Sequence, residues 1–139
     1  MVTSQQETAL KEITVKKMSN KEVEDKAVEL VLEYERKCGR NPISFGTKKR
    51  IYDIESSGRL IEVKGKAKHF GIIELQNTIE KYRNNENYYI YLVYDINNPP
   101  KTPKLKIIPK NIINNNLEEL KKYKLRQKFF SNIPEEKDF

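Results

Sequence analysis

The sequence predicts an α/β domain, a mixed β-sheet flanked by helices. Three observations carry that expectation. Val23, Ala27, Leu30, Val31 and Tyr34 recur at helical spacing. Two strand-like runs, Ile51–Glu55 and Leu60–Lys64, enclose the turn-rich tetrapeptide Ser56-Ser57-Gly58-Arg59. Residues 88–94, Tyr-Tyr-Ile-Tyr-Leu-Val-Tyr, are rich in aromatic and β-branched side chains, as a buried strand requires.

Taken in order, residues 1–20 are polar with weak periodicity and read as an N-terminal tail or linker. The first helix begins near Ser19 or Asn20, both good N-caps, with acidic residues in its first turn. Gly39 ends it, and Pro42 prevents its resumption. The hairpin follows. Residues 66–72 form a loop, and a second helix is expected from about Glu74 to Arg83. The strand at 88–94 leads through a turn at Asp95–Pro100 to a further strand at Lys104–Ile108. Leu117 to about Lys128 reads as a final basic helix. The domain thus occupies residues 21–130, with 131–139 as a C-terminal tail. No internal repeat is visible, and the Asn114-Asn115-Asn116 run reflects composition.

The chain has 139 residues, 37% hydrophobic and 34% charged. That suits one domain with a modest core. No apolar run approaches the ~20 residues needed to cross a bilayer, so no membrane partner is expected. No apolar h-region marks a secretory signal. Cys38 is the only cysteine, which excludes an internal disulfide and suggests a reducing, intracellular, cytoplasmic setting. His69 is the only histidine, so a zinc ligand set is lacking. The net charge is +7. Residues 101–130 hold nine basic and two acidic side chains, and so carry the excess. Such a block fits a polyanionic partner, with nucleic acid the usual one, or a solvated Lys-rich helix.

The hairpin carries the chemistry. With residues 56–59 as its loop, Glu55 pairs with Leu60 and Asp53 lies opposite Glu62. Opposed residues share a face. Ile54 and Ile61 would then share one apolar face, as would Tyr52 and Val63. The other face presents Asp53, Glu62 and Lys64. Two opposed carboxylates repel, and something positive must sit between them. A divalent cation fits, because Mg²⁺ takes one or two carboxylates with water and phosphate oxygens. The bland alternative is a surface hairpin on which Lys64 neutralises the pair.

Asp53 followed after eight residues by Glu62-Val63-Lys64 resembles the core of the PD-(D/E)XK nuclease superfamily. That short core recurs by chance. A longer stretch is more specific: Val23–Ala27, Val31–Lys37, Gly39–Pro42, Tyr52–Ser56, Gly58–Lys66 and Tyr88–Tyr94, in this order. It is similar to the protein NO VEIN C-terminal-like family over roughly residues 22–96. The resemblance implies a restriction-endonuclease-like fold and association with helicase, ATPase or restriction-system partners. It also implies Mg²⁺ or Mn²⁺ held by Asp53, Glu62 and the Val63 carbonyl, with Lys64 positioning a water. Glu24 is the best match to a further carboxylate from the first helix, or else a first-turn acid favoured by the helix dipole. One departure stands out: Leu75-Gln76-Asn77 replaces a Leu-Thr-x-Asn pattern. Gln76 then either bonds near the site or faces solvent.

Other residues carry weaker signals. Lys48, Lys49 and Arg50 precede the hairpin and could contact phosphate or line a solvated loop. Lys66 and Lys68 follow the core Lys64. Lys121, Lys122, Lys124, Arg126 and Lys128 would grip a nucleic-acid backbone from the final helix. His69 reads as a loop histidine, Cys38 as inert, Glu33 and Glu35 as surface or buttressing residues, and alternate tyrosines of 88–94 as half exposed. Two functions follow. One is metal-dependent hydrolysis of nucleic acid, with DNA preferred and a homodimer an option for cutting both strands. The other is a non-catalytic nucleic-acid-binding or partner-docking module that keeps the nuclease fold.

Overall fold

The computed structural model describes residues 17–45, 52–71, 73–75, 84–116, 118–119, 123–125, 130 and 136–139. The first helix, α1 (Asn20–Lys37), starts where the sequence places it. Ser19 is the N-cap: its Oγ accepts from the Glu22 N–H, and the Glu22 carboxylate accepts from the Ser19 N–H. At the other end Gly39 takes φ +82°, the left-handed conformation glycine adopts without strain. Pro42 does more than bar the helix, since it opens a short strand, β1 (Pro42–Ser44).

The hairpin pairs β2 (Ile54–Ser56) with β3 (Arg59–Gly65) in the register expected from the sequence. Its loop is tighter, because Ser56 pairs with Arg59 and leaves two loop residues. Ser57 at φ 48° and Gly58 at φ 90° are both left-handed, which matches the twist of a two-residue hairpin. Beyond Ile54 the pairing departs from expectation. The Asp53 N–H donates to the Ile61 carbonyl at 2.8 Å, although Ile61 is already the partner of Ile54. Two residues of one strand oppose one of the other, a β-bulge. The extra residue flips Tyr52 across the sheet. It packs with Leu60 and not, as the simple alternation predicts, on the side of Val63.

β3 runs parallel to β5 (Tyr88–Tyr94), which spans the expected residues, and β5 pairs antiparallel with β6 (Lys104–Pro109). With the C-terminal strand β9 (Lys137–Asp138), the mixed six-stranded sheet has the order β1-β2-β3-β5-β6-β9. Both of its faces are covered. Ala27 and Val31 of α1 pack on Ile54, Ile61, Val63, Tyr91, Val93 and Leu105. On the other side Tyr88, Ile90, Leu92 and Tyr94 pack under Phe70, Ile73, Leu75, Ile113 and Phe130. Tyr88, Tyr91 and Tyr94 are therefore all buried, and Tyr89 alone of the four is half-buried, because β5 lies between two apolar layers.

The second layer corrects two expectations. Ile73–Leu75 form a strand, β4, where a helix was expected from Glu74; residues 76–83 lie outside the described ones. The expected basic helix at 117–128 is likewise strand where it is described. β7 (Glu118–Glu119) and β8 (Tyr123–Leu125) join β4 in a small sheet of order β4-β8-β7. Leu75 pairs with Tyr123 and Ile73 with Leu125. Tyr123 and Leu125 alternate with lysines at period two, and long-range pairing overrides the helix tolerance of lysine. The helix lies earlier, as α2 (Lys110–Asn116). The expected C-terminal tail ends in β9 (Lys137–Asp138), an edge strand on β6 tied by a Lys104–Asp138 ion pair. Among the described residues no helix is long and apolar enough to cross a membrane.

Candidate metal and phosphate site

The bulge at Asp53 builds the site. In β3 the Val63 N–H points toward β2, whose backbone has already left the ladder. The Asp53 side chain takes its place, with Oδ2 accepting from Val63 N–H at 2.8 Å. The Val63 carbonyl lies on the same strand edge as its N–H. Asp53 thus sits in the plane of the sheet at the gap left by β2. On one side is a groove of about 590 Å³ under α1, lined by Asn20, Lys21, Glu24, Asp25, Val28, Ser44 and Asp53 itself. Glu62 and Lys64 belong to the other face of β3.

This is not the solvated hairpin face that simple alternation suggests. Glu62 is 15% exposed and Lys64 23%. Lys64 Nζ lies 3.3 Å from Glu62 Oε1. Burial, and then the neighbouring Asp53, push the Glu62 carboxyl up to about 8, against the opposing pull of Lys64. Burial also raises Asp53, more than its bond from Val63 and the Lys64 charge lower it. Glu24 adds to the repulsion on both carboxylates. Tyr88 is raised by burial and by Glu62 and Asp53, so its phenol keeps its proton. One ammonium therefore faces two carboxylates and does not offset both.

The structure brings together Asp53, Glu62, Val63 and Lys64, with Glu24 across the groove. Among the described residues no three His, Cys, Asp or Glu side chains converge at metal-ligand spacing. Two carboxylates and a backbone carbonyl still suit Mg²⁺, which keeps several waters. Lys66 and Lys68 lie on the loop after β3, which is zipped to the loop after β5. Asp95 N–H bonds to the Lys68 carbonyl and Asn97 N–H to that of Ala67, both at 2.8 Å. Lys124 is in β8, paired in register with Glu74. Gln76, Lys48, Lys49, Arg50, Lys121, Lys122, Arg126 and Lys128 lie outside the described residues. His69 stacks on Phe70, with ring centroids 3.9 Å apart.

Sequence reasoning missed a second polar cluster at the opposite end of α1. Glu35 is fully buried. Arg40 grips it bidentately at 2.7 and 2.6 Å, and Tyr91 Oη donates to it at 3.1 Å. Arg59 in turn donates to Tyr91 Oη at 2.9 Å and lies over the Tyr89 ring. A signal existed: Glu35 continues the i+4 row of Ala27 and Val31. The basic block also misled in part. Lys106 is buried, donates to the Phe130 carbonyl at 3.2 Å, and has its pKa lowered by burial.

No curated protein and no solved structure matches the chain. A family model described as protein NO VEIN, C-terminal, matches residues 23–108. That segment runs from the first turns of α1 through the bulge, β3 and β5 into β6, and it contains Glu24, Asp53, Glu62, Val63 and Lys64. The chain belongs to the protein NO VEIN C-terminal family.

Proposed function

We propose that this domain hydrolyses phosphodiesters in nucleic acid, with DNA as the preferred substrate, as a metal-dependent nuclease of the PD-(D/E)XK type with a restriction-endonuclease-like fold. One observation carries the reading. Asp53 and Glu62 are held beside each other, partly buried, against their mutual repulsion, with Lys64 as the nearby cation. Folding alone has no use for such a pair, whereas cation binding does.

Asp53, Glu62 and the Val63 carbonyl would hold Mg²⁺ or Mn²⁺, and Glu24 would face it from α1. When bound, the cation supplies Lewis acidity toward phosphate and a more acidic water. Asp53 is fixed for this by the Val63 N–H, which leaves its other oxygen free to turn toward the groove. Lys64 has a role that depends on Glu62. With a cation held at Glu62, the Lys64 ammonium would place positive charge beside the attacking water and the phosphate. Lys66 and Lys68, on the loop that leaves the site, would meet the flanking backbone. Gln76, Lys48, Lys49, Arg50, Lys121, Lys122, Lys124, Arg126 and Lys128 complete the proposed set of contacts.

The test is Mg²⁺- or Mn²⁺-dependent cleavage of DNA, abolished in Asp53→Ala, Glu62→Ala and Lys64→Ala. Three variants that cleave like the parent would show that the site lies elsewhere. A second reading, a non-catalytic nucleic-acid-binding or docking module, draws on the Glu62–Lys64 ion pair, which lets the site close on itself. It expects binding that weakens steeply with salt, no turnover with either metal, and no anomalous density beside Asp53 in a Mn²⁺-soaked crystal.

A further inference from the structure

Gly65 ends β3 directly after Lys64 and pairs with Val93 of β5. A Cβ placed on it would lie 2.9 Å from Ala27 Cβ, 3.2 Å from the Val23 carbonyl oxygen and 3.4 Å from Ile96 Cδ1. Carbon atoms prefer about 3.5–4.0 Å. Ile96 can turn aside, but the Val23 carbonyl is backbone and can yield only if α1 moves. Gly39, Gly58 and Gly71 meet nothing within 4 Å, so this close approach is peculiar to Gly65 among those four glycines. Ala27 and Val23 are buried toward the sheet, while Glu24 and Val28 lie on the neighbouring flank of the helix, over the groove that ends at Asp53.

We infer that the bare contact between Gly65 and Ala27 sets the height of α1 above the sheet and thereby holds Glu24 over the groove that ends at Asp53. Gly65 is then a positioning residue for the cation site, an inference that rests on the metal reading proposed above. A methyl group at Gly65 lifts the helix by roughly 0.5–1 Å, a misplacement of the size that costs a reacting site up to ~10²-fold.

Mn²⁺ affinity measured by calorimetry tests this on the full chain. Glu24→Gln and Gly65→Ala should each weaken binding by roughly 10-fold, and the double variant should be no weaker than either, because both remove the same interaction. Moving the methyl back, in Gly65→Ala with Ala27→Gly, should restore the affinity to within about threefold, which a merely destabilised protein would not do. If Gly65→Ala does not fold, Ala27→Ser thickens the same contact from the helix side and takes its place. A Gly65→Ala protein that binds Mn²⁺ like the parent, or in which Glu24→Gln acts with its full effect, overturns the positioning role and leaves the metal reading intact. A parent that binds no Mn²⁺ overturns both.

Discussion

Glu35 is a buried glutamate and Glu62 a half-buried one, and they lie in opposite electrostatic surroundings. Glu35 receives a bidentate arginine and a tyrosine hydroxyl, so every part of its charge is answered. Glu62 shares one lysine with Asp53, and its carboxyl is pushed up to about 8. The first holds the C-terminal end of α1 to β5. The second makes one ion pair, with Lys64 of its own strand. A buried charge with its partners in place is architecture, and one left short of positive charge is where the proposed cation would complete the count.

Breaking the satisfied cluster should have the largest effect on stability. Glu35→Ala leaves Arg40 and the Tyr91 hydroxyl without their acceptor and should cost about 3–5 kcal/mol in urea unfolding. A loss below about 1 kcal/mol would place Glu35 among ordinary surface pairs. At the other cluster the effect should fall on activity. Asp53→Ala, or removal of divalent cations by a chelator, should slow cleavage roughly 10²-fold or more, as expected when several kcal/mol of charge stabilisation is lost. The same variant should leave the unfolding midpoint near or above that of the parent.

The pH dependence of stability sharpens the contrast. In the presence of chelator, folded Glu62 binds its proton more tightly than unfolded Glu62 does. Its stabilising contribution is complete below about pH 4.5, its ordinary value, and is lost as the pH rises through about 8. Asp53, also raised, acts in the same direction. Melting temperatures should therefore fall across this window, and Glu62→Gln should flatten the slope. An unchanged slope in Glu62→Gln would assign the proton to another group. The smallest expected effect is at the N-terminus of α1. Ser19→Ala removes the capping box and should cost about 1 kcal/mol, read from the same melts.

The legible parts of the fold were those governed by local rules. The Ser19 cap, the Gly39 stop and the 88–94 strand follow from capping chemistry, left-handed backbone and β propensity, and each is found where its residues stand. The hairpin register was legible because turn residues and alternating apolar positions agree. Tyr52 was misassigned because a bulge is a single inserted residue, and alternation cannot announce it. The expected helices at Glu74 and at 117–128 failed where they are described, because β4 and β8 are set by pairing with each other across some fifty residues. Of the candidate site, Asp53, Glu62 and Lys64 were singled out by hairpin alternation together with the longer family resemblance. The roles of Glu35 and Gly65 could not be, since burial and close approach belong to the packed state.

By itself the sequence determined which residue types stand at the hairpin and the register up to Ile54, but it put Asp53 directly opposite Glu62, a pairing that the bulge replaces with Asp53 against Ile61. Tertiary structure decided the surroundings of these carboxylates. The bulge turns Asp53 into the plane of the sheet, the second apolar layer shields Glu62 from water, and the Gly65–Ala27 contact lowers α1 onto the groove. Each acts through distance or desolvation, and those quantities exist only once the chain is folded.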